Sequence, residues 1–221
     1  TNRIRTQAMH FYRRHLPHLE LPDVDYFLTF RLAGSLPTPV ARQSVIELQG
    51  RAQVRLSTKP GRAPQLPTPT YRLHRIRNFE QIVHPGAPGP RWLADPEVAS
   101  IVKEALHYRD GKQFTLYAYS IMSNHVHIAC HTGVLGSSGI PMTELLASFK
   151  WYTALKCNKV LRRSGAFWLQ ESYDHVIRSG PELQRTIRYI INNPIKAGLA
   201  RKWQDWRWTY CRADMMPGDG R

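Results

Sequence analysis

The chain of 221 residues has only three cysteines, Cys130, Cys157 and Cys211, far apart and without a C-x-x-C spacing. An odd, scattered set excludes a disulfide framework and disfavours a thiolate zinc site. No apolar run approaches the roughly eighteen residues that a membrane span needs, and no signal-like hydrophobic stretch follows the N-terminus. These absences place the chain in the cytoplasm as an expectation. There is no internal repeat, and no H-E-x-x-H pair of the kind that zinc hydrolases carry. Acid is scarce as well: Asp and Glu number 16 against 31 for Lys and Arg, a net charge of +15. An excess of this size points to a polyanion, nucleic acid first. With 42% hydrophobic and 10% aromatic residues, the chain is not a disordered basic tail. Its length suits one elaborated domain over residues 1–221.

What is present is unevenly spread. Residues 1–18 form a basic arm with Arg3, Arg5, Arg13 and Arg14 and no acid. From about 48 to 90 runs a basic, Pro-rich insertion, in which seven basic residues and no acidic one lie between Glu47 and Glu80. It reads as a mobile basic loop or as a solubilising insertion without a ligand. Residues 200–221 are rich in tryptophan, and Trp203, Trp206 and Trp208 suit packing better than base stacking.

Tyr26 to Leu32 is aromatic and β-favouring, so a strand is expected there. Val40, Ile46, Leu48 and Val54 predict a helix from Val40 to about Arg55. Asp95-Pro96 starts another, with Val98, Ile101, Val102, Ala105 and Leu106 on its apolar face and Gly111 as its stop. Two strands follow, Phe114 to Tyr119 and His125 to His131, joined near Met122-Ser123-Asn124. A helix from Met142 to about Arg163 has Leu146, Phe149, Thr153, Cys157 and Val160 on one side. Phe167 to Ile177 contains a short strand, and Ser179 opens a last helix. The order β, α, β, β, α, β, α is that of a ferredoxin-like α+β sandwich, an antiparallel sheet with helices on one face.

Two residue sets could carry chemistry. In a strand, His125 and His127 share one face while Val126, Ile128 and Cys130 share the other, so two imidazoles project side by side. That spacing suits a single divalent metal, with His131 as a spare. It suits equally two histidines that are exposed or only hydrogen-bonded. On the last helix, Ser179-Gly180-Pro181-Glu182 has the form of a capping box. Leu183, Ile187, Ile190 and Ile191 define its buried face. Glu182, Thr186, Tyr189 and Asn193 make a second stripe, so Tyr189 stands off the apolar face with Asn193 one turn beyond it. The plainer readings are a half-exposed packing tyrosine and a helix-terminal asparagine before Pro194. Lys150, Lys156, Lys159, Arg162 and Arg163, with no acid between Glu144 and Glu171, offer either phosphate contacts or a solvated basic face.

These residues carry a resemblance. Ile121-Met122-Ser123-Asn124-His125-Val126-His127 resembles the histidine motif of the REP-associated tyrosine transposases, bacterial relatives of the single-tyrosine HUH transposases. Phe167-Trp168-Leu169-Gln170-Glu171-Ser172-Tyr173 is similar to the block before the family's last strand. Tyr189-Ile190-Ile191-Asn192-Asn193-Pro194-Ile195-Lys196-Ala197-Gly198-Leu199 is similar to its Tyr-Ile-x-x-Asn-Pro-x-Lys-x-Gly block, and Asp205-Trp206-Arg207-Trp208 to the tryptophan pattern beyond it. In order, these blocks span about residues 115–210. Ser123 stands where the family usually has proline, and residues 40–90 are longer and richer in proline.

The resemblance implies an HUH nuclease-type fold and a metal-dependent single-strand DNA endonuclease or transposase. Tyr189 would be the nucleophile, forming a 5′-phosphotyrosine. His125, His127 and Asn193 would hold one divalent metal, Mg²⁺ or Mn²⁺. The substrate would be single-stranded or hairpin DNA of REP-like palindromes, at the bacterial nucleoid, bound by a monomer or homodimer. Phosphate contacts are expected from Arg13, Arg14, Lys150, Lys156, Lys159 and Arg163. The alternative is a catalytically inactive basic DNA- or RNA-binding module.

Overall fold

A computed structural model describes residues 10–13, 17–20, 23–35, 89–133 and 140–216. The helix expected over Val40 to Arg55, nearly all of the 48–90 insertion, Arg14 and the last five residues lie outside these. Two short strands, β1 (His10–Arg13) and β2 (Pro17–Glu20), pair antiparallel, with Arg13 at the end of β1. The main sheet begins with β3 (Asp25–Leu32), after which α1 (Pro96–Arg109) leads into β4 (Thr115–Ile121). Then come β5 (His125–His131), α2 (Met142–Val160) and β6 (Trp168–Ile177). Next are α3 (Gly180–Ile191), a one-turn helix at Asn193–Lys196, and β7 (Thr209–Cys211).

The strand order is β6-β3-β5-β4-β7, antiparallel at every junction. Up to β6 this is the split β-α-β-β-α-β arrangement that the sequence order suggests. The helices form where their signals lie. Asp95 caps α1 by accepting from the amides of Glu97 (2.8 Å) and Val98 (3.3 Å), and Pro96 occupies the first turn, where no amide is required. The strand β5 has the expected bounds. The last paired strand is not short: β6 runs ten residues, because it pairs with β3 along most of its length. α2 stops at Val160, three residues early, and Arg162 adopts a left-handed φ of 50°.

Alternation along the strands creates two apolar layers. Tyr26, Leu28 and Phe30 of β3 and Val126, Ile128 and Cys130 of β5 pack with Val98, Val102, Leu106, Phe149 and Cys157 from the crossover helices α1 and α2. The opposite parity, Phe27 and Ala129 with Ala118, Tyr173 and Cys211, packs under Leu183, Ile187, Ile190 and Ile191 of α3. Thus α1 and α2 lie together on one face, while α3 covers the other. The tryptophans serve packing: Trp208 is buried in the first core, and Trp206 Nε1 donates to the Ile121 carbonyl at 3.1 Å.

One close approach requires glycine. Gly89 has φ of 151°, and a Cβ there would sit 2.6 Å from the Gly34 carbonyl oxygen. The chain therefore leaves the end of β3 and returns toward α1 at adjoining points.

All three cysteines are unpaired and buried. Burial foremost pushes the Cys130 and Cys157 thiols up to about 12 and Cys211 up to about 11. At pH 8 an aromatic disulfide reagent is therefore expected to label none of them in the native chain and all three in denaturant. Rapid labelling of any native thiol would contradict this burial.

Candidate functional site

The second face of the sheet brings the sequence candidates together. His125 and His127 project on the same side of β5, with ring centroids 4.7 Å apart and planes at 75°. Their neighbours fix both rings. Thr29 stands opposite His127 in the β3–β5 register, and its Oγ1 lies 2.8 Å from His127 Nδ1. Phe27 stacks on the same imidazole at 5.8 Å and 17°. His125 Nδ1 lies 2.6 Å from the Asn124 side-chain oxygen, which can only accept, so this nitrogen carries the proton. In each ring Nδ1 lies against a neighbour, so Nε2 is the nitrogen that could take a metal. Burial first, then His127 and Arg31 nearby, hold the His125 pKa well below its ordinary value. It is therefore neutral at neutral pH, as a metal ligand must be.

α3 delivers the tyrosine. Ser179 Oγ accepts from the Glu182 amide at 3.3 Å, as an N-cap should. The reciprocal half of the capping box is absent, because the Glu182 carboxylate instead accepts from the Arg178 amide (2.9 Å) and meets His175 Nε2 (2.9 Å). This pins the helix start to β6. The second stripe is also mostly covered, with Glu182 and Thr186 of α3 buried and Asn193 buried at the start of the following one-turn helix, past the end of α3 at Ile191. The ring of Tyr189 meets His127 at 5.6 Å and 73°, and Phe27 at 5.8 Å and 87°. Its phenolic oxygen is buried without a hydrogen-bond partner among the described residues. Asn193 Nδ2 donates to the Tyr189 carbonyl at 3.0 Å, so the amide oxygen is the atom that could serve as a ligand. Lys196 Nζ lies 4.6 Å from the centroid of the Tyr189 ring.

Among the described residues no group of three or more His, Cys, Asp and Glu is disposed to hold a metal. The histidine pair would therefore need the Asn193 oxygen as its third protein donor. Two neutral imidazoles with fixed Nδ1 partners and one amide oxygen form a donor set that fits a small divalent ion. The spare, His131, is committed elsewhere, with Nδ1 2.8 Å from Asp25 and Nε2 3.1 Å from Asp23. Tyr173, which like Tyr117 is a further phenol of this layer, is buried and edge-on to Phe27 at 6.0 Å.

The basic residues of α2 divide. Lys150 Nζ donates to the Leu169 carbonyl (2.9 Å), the Gln170 carbonyl (3.2 Å) and Ser172 Oγ (2.5 Å), which ties α2 to β6. Arg163 donates to Asn158 and to the Ala166 carbonyl, and its guanidinium lies 3.8 Å from the Trp92 ring centroid. These two cations serve the fold here. Lys156 and Lys159 are exposed. Sequence reasoning missed Thr29, which no local signal marks because its partner is 98 residues away. It also gave no separate role to Lys196, although that lysine stands inside the block carrying Tyr189.

Fold and site thus define an α+β protein of antiparallel split β-α-β-β-α-β topology, with a histidine pair beneath a tyrosine-bearing helix. No protein-family model matches the chain, and no curated protein matches it. Among solved structures, a REP-associated tyrosine transposase bound to a REP hairpin is similar at a TM-score of 0.47 and 13% identity, over 91% of this chain and 82% of that one. That is similarity of fold at most.

A buried hydroxyl without a partner costs stability. Tyr189→Phe is therefore expected to unfold no earlier than the parent in urea, and up to about 1 kcal/mol later. A loss of stability greater than about 1 kcal/mol would show that the hydroxyl has a partner in the folded chain.

Proposed function

We propose that the chain cleaves and rejoins single-stranded DNA beside REP-type hairpins through a 5′-phosphotyrosine on Tyr189. The observation that supports this reading is the meeting of Tyr189 with His127, next to a His125 whose Nδ1 is likewise occupied. A phenol that is buried, unpartnered and off the apolar face of its helix is costly as filler and intelligible as a nucleophile. A phenol has an ordinary pKa of about 10, so it attacks only when its anion is favoured. The ammonium of Lys196 beside the ring acts in that direction. The phenolate oxygen would attack the phosphorus in line, the bond to the 3′-oxygen would break, and that oxygen would take a proton to leave a 3′-OH. The reverse reaction rejoins strands without an external energy source.

His125, His127 and Asn193 would hold Mg²⁺ or Mn²⁺, which supplies Lewis-acid neutralisation of charge on the phosphodiester when bound. Thr29 and Asn124 would orient the imidazoles toward it. Hairpin and single-strand recognition rests on the charge of +15 and on the motif resemblance. The arm arginines Arg13 and Arg14 and the exposed Lys156 and Lys159 would contact phosphates, while Lys150 and Arg163 are occupied within the fold. An inactive nucleic-acid-binding module is the competing reading.

Incubation with hairpin oligonucleotides and Mg²⁺ or Mn²⁺, followed by a denaturing gel, separates the two. A covalent complex is expected from the parent chain. It should vanish in Tyr189→Phe, in His125→Ala, in His127→Ala and in EDTA, and weaken less in Asn193→Ala. An adduct that survives Tyr189→Phe and disappears in Tyr173→Phe would overturn the assignment.

Binding provides a separate check. Single-strand affinity is expected to fall steeply with salt, and replacing both Lys156 and Lys159 by Ala should flatten the log–log slope by about 1.4, from roughly 0.7 per phosphate contact. Isotherms across a range of salt concentrations measure it. An unchanged slope would place the DNA elsewhere.

A further inference from the structure

On the face of the sheet remote from Tyr189, α1 and α2 enclose an open cleft of about 890 Å³. Its walls are aromatic and cationic. Arg109 is only 7% exposed and lies between two rings, its guanidinium 5.4 Å from the centroid of Phe149 and 5.5 Å from that of Tyr152. One Nη donates to the Ala105 carbonyl at 3.0 Å, while its buried Nε has no partner among the described residues. At the rim, Lys112 sits 3.7 Å over Tyr108 and Lys156 sits 6.0 Å over Tyr152. Among the described residues the one acid lining the cleft, Glu104, accepts from Ser100. On the same helix α2, Trp151, which precedes the cleft residue Tyr152 in sequence, is 71% exposed, and Leu155 is exposed too. Tyr108 is 68% exposed.

Large aromatics on a helix surface normally turn inward, and these do not. α2 has its own buried stripe, Leu145, Phe149, Thr153 and Cys157, so Trp151 and Tyr152 add nothing to the core. Tyr108 and Tyr152, the two tyrosines lining the cleft, are each paired with a cation, the combination that takes a flat ring bearing negative charge next to it. Single-stranded nucleic acid has both, since unpaired bases stack on aromatic side chains while the phosphates run along cations. A duplex would hide its base faces from these rings. A second copy of the chain would meet Lys112, Lys156 and Lys159 with its own excess of positive charge.

We propose that the α1–α2 cleft is a single-strand nucleic-acid site, with Tyr108, Tyr152 and Trp151 as stacking platforms and Lys112, Arg109 and Lys156 meeting phosphates. It lies across the sheet from the candidate catalytic groups. It rests on DNA being the ligand and not on the chemistry of Tyr189.

The test uses the full chain carrying Tyr189→Phe, in EDTA, with a fluorescent oligothymidylate that forms no hairpin. Replacing Tyr108 and Trp151 by Ala is expected to weaken binding at least about tenfold and to leave the salt slope unchanged, because stacking releases no counterions. Tyr108→Phe with Trp151→Phe should restore most of the affinity. In the unlabelled complex, the difference in emission between the parent chain and Trp151→Phe should be quenched by the oligonucleotide. Unchanged affinity in the alanine variant, or no quenching of the Trp151 signal, overturns the site while leaving DNA binding intact. Failure of the parent chain to bind the oligonucleotide overturns both this site and the DNA reading. A concentration-dependent dimer that the Trp151→Ala change dissolves would show that a second copy covers the cleft, and overturns it too.

Discussion

The strand β5 is hydrogen-bonded on both edges, to β3 and to β4, and its alternate residues serve two different interiors. A shift of pairing by one residue would send His125 and His127 into the apolar core beneath α1 and α2 and lift Val126 and Ile128 under the tyrosine. The burial of Val126, Ile128 and Cys130 therefore places the imidazoles more firmly than any contact they make themselves. Everything on the second face, from the Thr29 bond to the edge of Tyr189, depends on that register.

Polar groups on this face are held by partners from distant parts of the chain. Thr29 comes from β3, Asn124 from the turn into β5, and Glu182 clamps the start of α3 to His175 of β6. Rings that cannot rotate keep their nitrogens where they are wanted before any ligand arrives, and so the cost of ordering is met in folding. Among the described residues of this face, the phenolic oxygen of Tyr189 and the Thr186 hydroxyl are buried without a hydrogen-bond partner, and each such atom calls for an explanation.

Much of this was legible from residue order. The period of two over His125–His131 separates imidazoles from apolar side chains, and Asp95-Pro96 and Ser179 mark helix starts that the backbone adopts. The strand order follows from the succession of elements. What could not be read was tertiary. Nothing local says that Lys150 bends back to carbonyls at 169 and 170, or that Arg163 lies on Trp92, so charge alone counted both as available. The Glu182 carboxylate skips its own cap because His175 and the Arg178 amide offer it better-placed donors. The position of α3 across the sheet from its fellow helices was also hidden, because an amphipathic stripe shows that a face is covered and not which layer covers it.

The close approach of Gly89 to Gly34 and Ser35 brings the end of β3 next to the lead into α1. A segment whose two ends adjoin transmits no tension to the strands, and doubling its length adds only about 0.6 kcal/mol of closure entropy. A change in the length of that connection therefore costs the sheet little, and the register that sets the second face need not feel it.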